Sequence, residues 1–413
     1  MNSPNHQIKS PNHQITNHQI YFAVLYASEG APIGFIWWAL PTLLRAADVP
    51  VDRITTLTAV VLLPWVFKFL WAPALDLLRG ARWGYRSWII AMQSLMALAL
   101  VPLIWIDPVS GFEWWRALLV LHAVAAATQD VAIDALAIGV VEPEARGRLN
   151  GAMQAGMLIG RSVFGGGVLL IGTWLGREGM LIALIAWILA AMIGAVGLRG
   201  TEPELRGTTA GFRSHLISAF RLRTTWLGLV FAVISASAFE ATGQLAGPYL
   251  VDREVSAAAI GAFFGIPVVG AMLIGGLVGG HLADRWGRYR MVALSLAGFV
   301  LPIVALAAVD ATLATGTMRM SLLSAMYFFV GAFTASSYSV FMDLTDPRLG
   351  ATQFSAFMAG TNACESWSVW AAGRLTAAQG YPAAFVVMSL VSLTALPLLA
   401  LMRRMGSPRI TGH

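Results

Sequence analysis

"EPEARGRLNGAMQAG", residues 142–156, aligns without a gap to "DPRLGATQFSAFMAG", residues 346–360. Each begins with an acidic residue and proline, carries arginine soon after, and runs into small and apolar residues that end in Ala-Gly. The two copies stand 204 positions apart in a chain of 413 residues. A second pair repeats the message: "RWGYR" at 82–86 and "DRWGRYR" at 284–290. A loop and helix start that recur at such an interval imply two equivalent halves, related as parallel repeats.

Composition says what the halves are made of. The chain is 57% hydrophobic and 12% charged, with a mean hydropathy of +0.70. A water-soluble domain carries about 25% charged residues, so this is an integral membrane protein. Spanning a bilayer takes about 20 apolar residues of helix. Twelve stretches qualify: 21–44, 54–78, 87–106, 114–138, 149–172, 179–198, 225–247, 256–282, 291–309, 320–343, 352–374 and 382–402. The expected fold is an all-α membrane protein of 12 transmembrane helices in two six-helix, pseudo-symmetric halves.

The arginines orient it. Loops between spans 2–3, 4–5, 6–7, 8–9 and 10–11 hold fourteen Lys and Arg, and the termini add Lys9, Arg403, Arg404 and Arg409 on the same side. The opposite side has seven. By the positive-inside rule both termini are expected in the cytoplasm, with the chain in the inner membrane. The net charge of +6 is thereby explained by topology, and no nucleic-acid partner is expected.

The expected domains are a disordered low-complexity segment at 1–19, an N-terminal bundle at 20–198, a cytoplasmic linker at 199–224, a C-terminal bundle at 225–405 and a tail at 406–413. The first segment repeats "SPNHQI" and cannot bury a core. In the linker, Phe212, Leu216 and Phe220 recur every four residues among basic ones, the pattern of a short helix on the membrane surface. The single cysteine, Cys364, excludes an internal disulfide. "GRSVFGGG" (160–167) and "GGLVGG" (275–280) lie inside spans, where small residues permit close helix packing rather than phosphate binding. No Walker sequence, metal constellation or catalytic grouping is present, so neither an ATP-driven pump nor an enzyme is expected, and no cofactor or metal. His122 and His281 are read as packed or interfacial.

A charge near the bilayer centre costs about 3 kcal/mol even on lenient scales. Seven such residues fall inside spans: Glu29, Lys68, Asp130, Asp134, Arg161, Glu240 and Glu365. At about 1.5 Å per residue, Lys68 lies roughly 21 Å and Asp130 roughly 24 Å from the outer surface, with Glu29 near the same level. A cluster of these three is allowed. Asp130 and Asp134 share a helix face with Ala123, Ala126, Ala127 and Ala137, which leaves room for water or a solute. Lys68 is the only lysine after residue 9, and lysine is the cation that gives up a proton when buried. One aspartate is expected to carry the coupling ion, H+. Alternatively Asp134 holds a closed gate against Arg146 or Arg148. Arg161 and Glu365 are equivalent under the repeat, with Glu240 at similar depth. An Arg161–Glu365 or Arg161–Glu240 pair would close the outer side, or Arg161 would bind a solute carboxylate. Gly30 and Pro32, then Gly243, Gly247 and Pro248, break spans 1 and 7 and point towards a binding site.

This architecture, with basic loops after spans 2 and 8, resembles the major facilitator superfamily. "FKFLWAPALD" (67–76), "ATQDVAIDA" (127–135) and "ATQF" (351–354) look like its AmpG-like muropeptide permease branch, which also contains acetyl-CoA transporters. The resemblance implies that spans 3, 6, 9 and 12, which have no interior charge, are peripheral. It implies gating loops in which Asp76 and Asp284 cap helix ends with Arg86 and Arg290 as partners. It further implies a proton-coupled secondary transporter, acting as a monomer in the lipid bilayer. The expected small-molecule cargo is a polar, anionic cell-wall fragment moved by alternating access. A siderophore or acetyl-CoA carrier, or a non-transporting membrane sensor, are the alternatives.

Overall fold

The computed structural model describes residues 11–78, 83–140, 146–196, 217, 221–310, 315–345 and 350–406. Ten helices in it are long and apolar enough to cross a bilayer. They are α1 (Gln19–Ala46), α2 (Val51–Leu70), α3 (Tyr85–Ile104), α4 (Phe112–Ala137), a double-length helix Gly151–Ala195, α7 (Arg223–Asp252), α8 (Ala257–Trp286), α9 (Arg288–Val309), α10 (Gly316–Leu344) and α12 (Tyr381–Arg404). The double-length helix turns back at Gly176, whose φ of 67° and ψ of −170° are non-helical, so it is two spans, α5 (151–175) and α6 (177–195). α11 (Gly350–Gln379) has 30 residues but is too polar to qualify. With that division and α11, the helices agree with a twelve-span reading.

α1 extends upstream to Pro11. Residues 11–19 of the low-complexity segment therefore continue the first helix instead of standing apart as an irregular stretch; residues 1–10 lie outside the described residues, as do most of the linker and the tail. Span 2 is also shorter than 54–78. Its α-helix ends at Phe67, and Lys68–Leu70 form a 3₁₀ turn before a short helix, Ala72–Leu77. Pro73, close behind that turn, has no backbone N–H to give to it, which accounts for the break.

α5 packs along α1, and the contact is backbone to backbone. A Cβ added to Gly156 or Gly160 of α5 would overlap Ala23 or Ala27 of α1, and one added to Gly30 or Gly34 would overlap Met157 or Arg161 in return. In the second half α8 packs on α10, and α9 on α10 and α12. Across the halves, α2 lies along α11, α1 meets α7, and α5 meets α8.

Those cross-half contacts are concentrated away from the basic loops. Arg45 Nε donates to Asp252 Oδ1 at 2.6 Å, and Tyr381 OH donates to Asp252 Oδ2 at 2.8 Å. Ser366 Oγ donates to the Ala59 carbonyl at 2.9 Å and Asn362 Nδ2 to that of Trp65 at 3.2 Å. Ser162 Oγ donates to the Gly265 carbonyl. Of these ties, the Trp65–Asn362 bond lies nearest the basic end.

Three π-helical stretches also gather on this seam: Phe35–Ala39 in α1, Ser162–Gly167 in α5 and Phe264–Val268 in α8. Such turns are rare and often mark functional sites. The "GRSVFGGG" run is thus a packing surface: a Cβ on Gly166 would overlap the Gly265 backbone. Trp38 stacks on Phe264 at 5.4 Å and 10° between planes, and meets Tyr327 edge-on, which roofs the space below.

Candidate functional site

Below that roof lies a cavity of about 380 Å³ between the halves. Its lining comes from α1, α2, α4, α5, α7, α8, α10 and α11, and from none of α3, α6, α9 or α12. The four charge-free spans are therefore outside it. Each of three lining helices presents a stripe at helical spacing: Tyr26, Glu29, Ile33 and Trp37 on α1; Gln154, Met157 and Arg161 on α5; Met358, Thr361, Asn362 and Glu365 on α11.

On the N-terminal wall, Lys68 sits in the 3₁₀ turn of α2 and its Nζ is ion-paired with Asp130 Oδ2 of α4. Asp134, one turn along, accepts from the Tyr26 hydroxyl of α1. Glu29 is buried, and its Oε2 has no hydrogen-bond partner. Behind α1, Ser28 Oγ accepts from Gln93 Nε2 at 3.1 Å and Gln129 Nε2 at 3.4 Å, so the polar residues facing inward are tied together. Trp71 Nε1 donates to Thr128 Oγ1 at 3.1 Å, fixing the chain just past Lys68 against α4. The side chains of Arg146 and Arg148 lie outside the described residues, so the alternative gate on Asp134 does too.

Nearer the roof, Arg161, Glu240 and Glu365 line the same space. They do not pair: among the described residues no ion pair within 4.0 Å involves Arg161. The Arg161 guanidinium instead lies over the Trp37 ring, 4.4 Å from its centroid, and its Nε is buried without a partner. Glu365 Oε1 accepts from Gln244 Nε2 at 3.4 Å. On the side expected to be closed by an Arg161 pair, Arg45, Asp252 and Tyr381 join the halves, and none of the three was singled out from sequence.

Of the expected gating loops, the first is described in part: Arg86 Nε donates to the Ala195 carbonyl at 2.9 Å, and the Asp76 side chain lies outside the described residues. In the second loop the ion pair belongs to Arg288, with Asp343 of α10; Asp284 and Arg290 are exposed and form no ion pair among the described residues. His122 is buried with Nδ1 3.0 Å from the Met96 carbonyl, a packed histidine, and His281 is exposed.

Tyr26, Trp37, Gln244 and Asn362 were not singled out from sequence. A signal existed for the first two: they flank Glu29 at i−3 and i+8 and so share its helix face.

Comparison with known proteins meets this geometry from outside. A model of the Major Facilitator Superfamily matches residues 22–357. The anhydromuropeptide permease of Escherichia coli (strain K12) is 26% identical over 358 residues, covering 82% of this chain and 70% of its own. A Rickettsia conorii protein named as a candidate AmpG transporter is 24% identical over 389 residues, covering 90% of this chain and 93% of its own. Among solved structures, the nucleoside transporter NupG superposes with a TM-score of 0.71 at 13% identity, covering 95% of this chain and all of that one.

Proposed function

We propose that this chain, which belongs to the Major Facilitator Superfamily, imports a polar, anionic cell-wall fragment of the anhydro-muropeptide type and couples its movement to H+. That it is a multi-pass membrane transporter follows from the family; the cargo, the ion and the direction are this proposal. On this reading the cavity opens towards the basic loops, taken as the cytoplasmic side of the inner membrane. Rocking of the halves about the seam would expose it to the other side. The protein works as a monomer, without a cofactor.

The observation that carries the reading is the Lys68–Asp130 pair in a cavity wall beside an unpartnered Glu29 oxygen. A buried carboxylate is tolerable when paired and costly when its cation is drawn away. A proton arriving at Asp130 replaces that cation, and the wall can then change shape without leaving a bare charge. Tyr26 on Asp134 holds the next carboxylate as a separate hydrogen-bonded unit. The similarity to an anhydromuropeptide permease supports the cargo.

The test is uptake of a labelled anhydro-disaccharide peptide into liposomes under an imposed pH gradient, with the Asp130→Asn protein alongside. Gradient-driven uptake that disappears in the variant is the expected result. Accumulation of a siderophore or acetyl-CoA in place of the peptide would move the cargo to those alternatives. Uptake of none of them, with binding retained, would favour a sensor.

A further inference from the structure

The cavity holds two cations, and they are not equivalent. Lys68 is engaged by Asp130. Arg161 has no contact anion among the described residues, and its Nε lies buried without a partner. The Trp37 ring lies against its guanidinium, and no protein acceptor among the described residues bonds its Nε.

We infer that Arg161, held on the Trp37 ring, is the anchor for a carboxylate group of the transported solute. The inference rests on the reading above and adds which residue grips the cargo and by which of its groups.

Four features support it. First, geometry: a guanidinium offers N–H groups in side-by-side pairs, a fork that matches the two oxygens of a carboxylate. The Trp37 ring, 4.4 Å from the guanidinium carbon, holds that group where Arg161 lines the cavity. Second, charge: Glu240 and Glu365 line the same space, and Lys68 is taken. Arg161 is then the lining cation left to a solute anion, and the two acids oppose a doubly charged group more than a singly charged one.

Third, backbone: Trp37 lies within the π stretch Phe35–Ala39, and Arg161 directly precedes the π stretch Ser162–Gly167. Each stretch displaces the register of its helix, and the two side chains meet where both registers change. Fourth, linkage: Ser162, next to Arg161, donates to the Gly265 carbonyl of the other half. A group bound at Arg161 therefore sits one residue from a tie between the halves.

The test compares two forms of one probe: the anhydro-disaccharide peptide with free carboxylates, and the same compound with those carboxylates amidated. Binding to purified protein is measured by titration calorimetry for wild type, Arg161→Gln and Arg161→Lys, each first checked for folding by its thermal unfolding. The expected result is a preference of about 10- to 100-fold for the free acid in wild type, the range for a charge-assisted hydrogen bond. Arg161→Gln should bind both forms alike, and Arg161→Lys should recover part of the preference because it keeps the charge but not the fork. Equal binding of the two forms by wild type, or a preference that survives in Arg161→Gln, overturns the inference. If wild type binds neither form, the muropeptide reading falls by itself. The anchor is then judged by thermal stabilisation with N-acetylalanine against N-acetylalanine amide: stabilisation by the acid alone that requires Arg161 upholds it, and any other pattern overturns it.

Discussion

The two walls of the cavity descend from one repeated unit and are built from different chemistry. The wall made by α1, α2, α4 and α5 carries Glu29, Lys68, Asp130 and Arg161. The facing wall carries Glu240 and Glu365 among Phe239, Tyr327, Phe333, Tyr338 and Phe341. Even the equivalent positions 161 and 365 hold opposite charges. Duplication supplied two matching frames, and side chains then divided the work. On the proposed reading one wall exchanges charge through its Lys68–Asp130 pair, while the other, with acids but no lining cation among the described residues, adds its rings to Trp37 and Trp65 of the first. Two identical walls would do neither job without disturbing the other.

That division can be broken in stages. The largest effect is expected for Asp130→Asn, which should bring gradient-driven uptake down to the level of protein-free liposomes while equilibrium binding persists. If Glu365→Gln removed gradient dependence equally, the walls would not differ as described. Next, Lys68→Gln leaves the Asp130 charge buried and alone, and should lower stability by about 3–5 kcal/mol in thermal or denaturant unfolding. The double variant Lys68→Gln/Asp130→Asn should regain most of that loss; additive losses would mean the pair does not couple.

Smaller effects are expected at the seam. Gly166→Val puts side-chain atoms where the Gly265 backbone lies, an overpacking cost of about 1–3 kcal/mol. Spin labels on the loop ends of α5 and α8 should report a longer distance in that variant, and an unchanged distance would count against a tight seam. Arg45→Ala removes a partly exposed pair worth about 0.5–1 kcal/mol, and the same labels should show a modest shift of population. The smallest change is assigned to Arg290→Gln, within about 0.5 kcal/mol of wild type, with Arg288→Gln the larger of the two because Arg288 holds Asp343.

The membrane fold is legible in this sequence because hydrocarbon punishes exposed polar backbone, so span number follows from apolar length alone. The repeat adds the two-half division that hydropathy does not give. α11 shows where a simple hydropathy measure stops: Thr361, Asn362 and Glu365 line the cavity, Ser366 bonds across the halves, and together they make the helix more polar. Depth counting placed Lys68 and Asp130 at one level, and the structure places them in contact. What the sequence withheld was partner choice. Arg161 lies over Trp37 instead of joining Glu365, and Arg288 rather than Arg290 takes the ion pair, because both outcomes depend on which face each helix turns to its neighbours. Residues 11–19 carry a polar repeat that argues against a core, and a helix already formed downstream can propagate into them at little cost.

The glycine contacts between α1 and α5 bear on how the chain is made. The most apolar 18-residue stretch of α1 has a mean hydropathy of 1.2, the lowest such value among the ten spanning helices, and α1 carries Glu29 near its middle. Its partner glycines, Gly156 and Gly160, emerge from the ribosome well over a hundred residues later. At about 5–20 residues per second the interval is on the order of ten seconds. During that time the first segment lacks the packing surface of α5, so its carboxylate must be sheltered by the insertion machinery or by the earlier spans that bring Lys68 and Asp130. Synthesis order, and not only final stability, thus constrains what residue 29 can be.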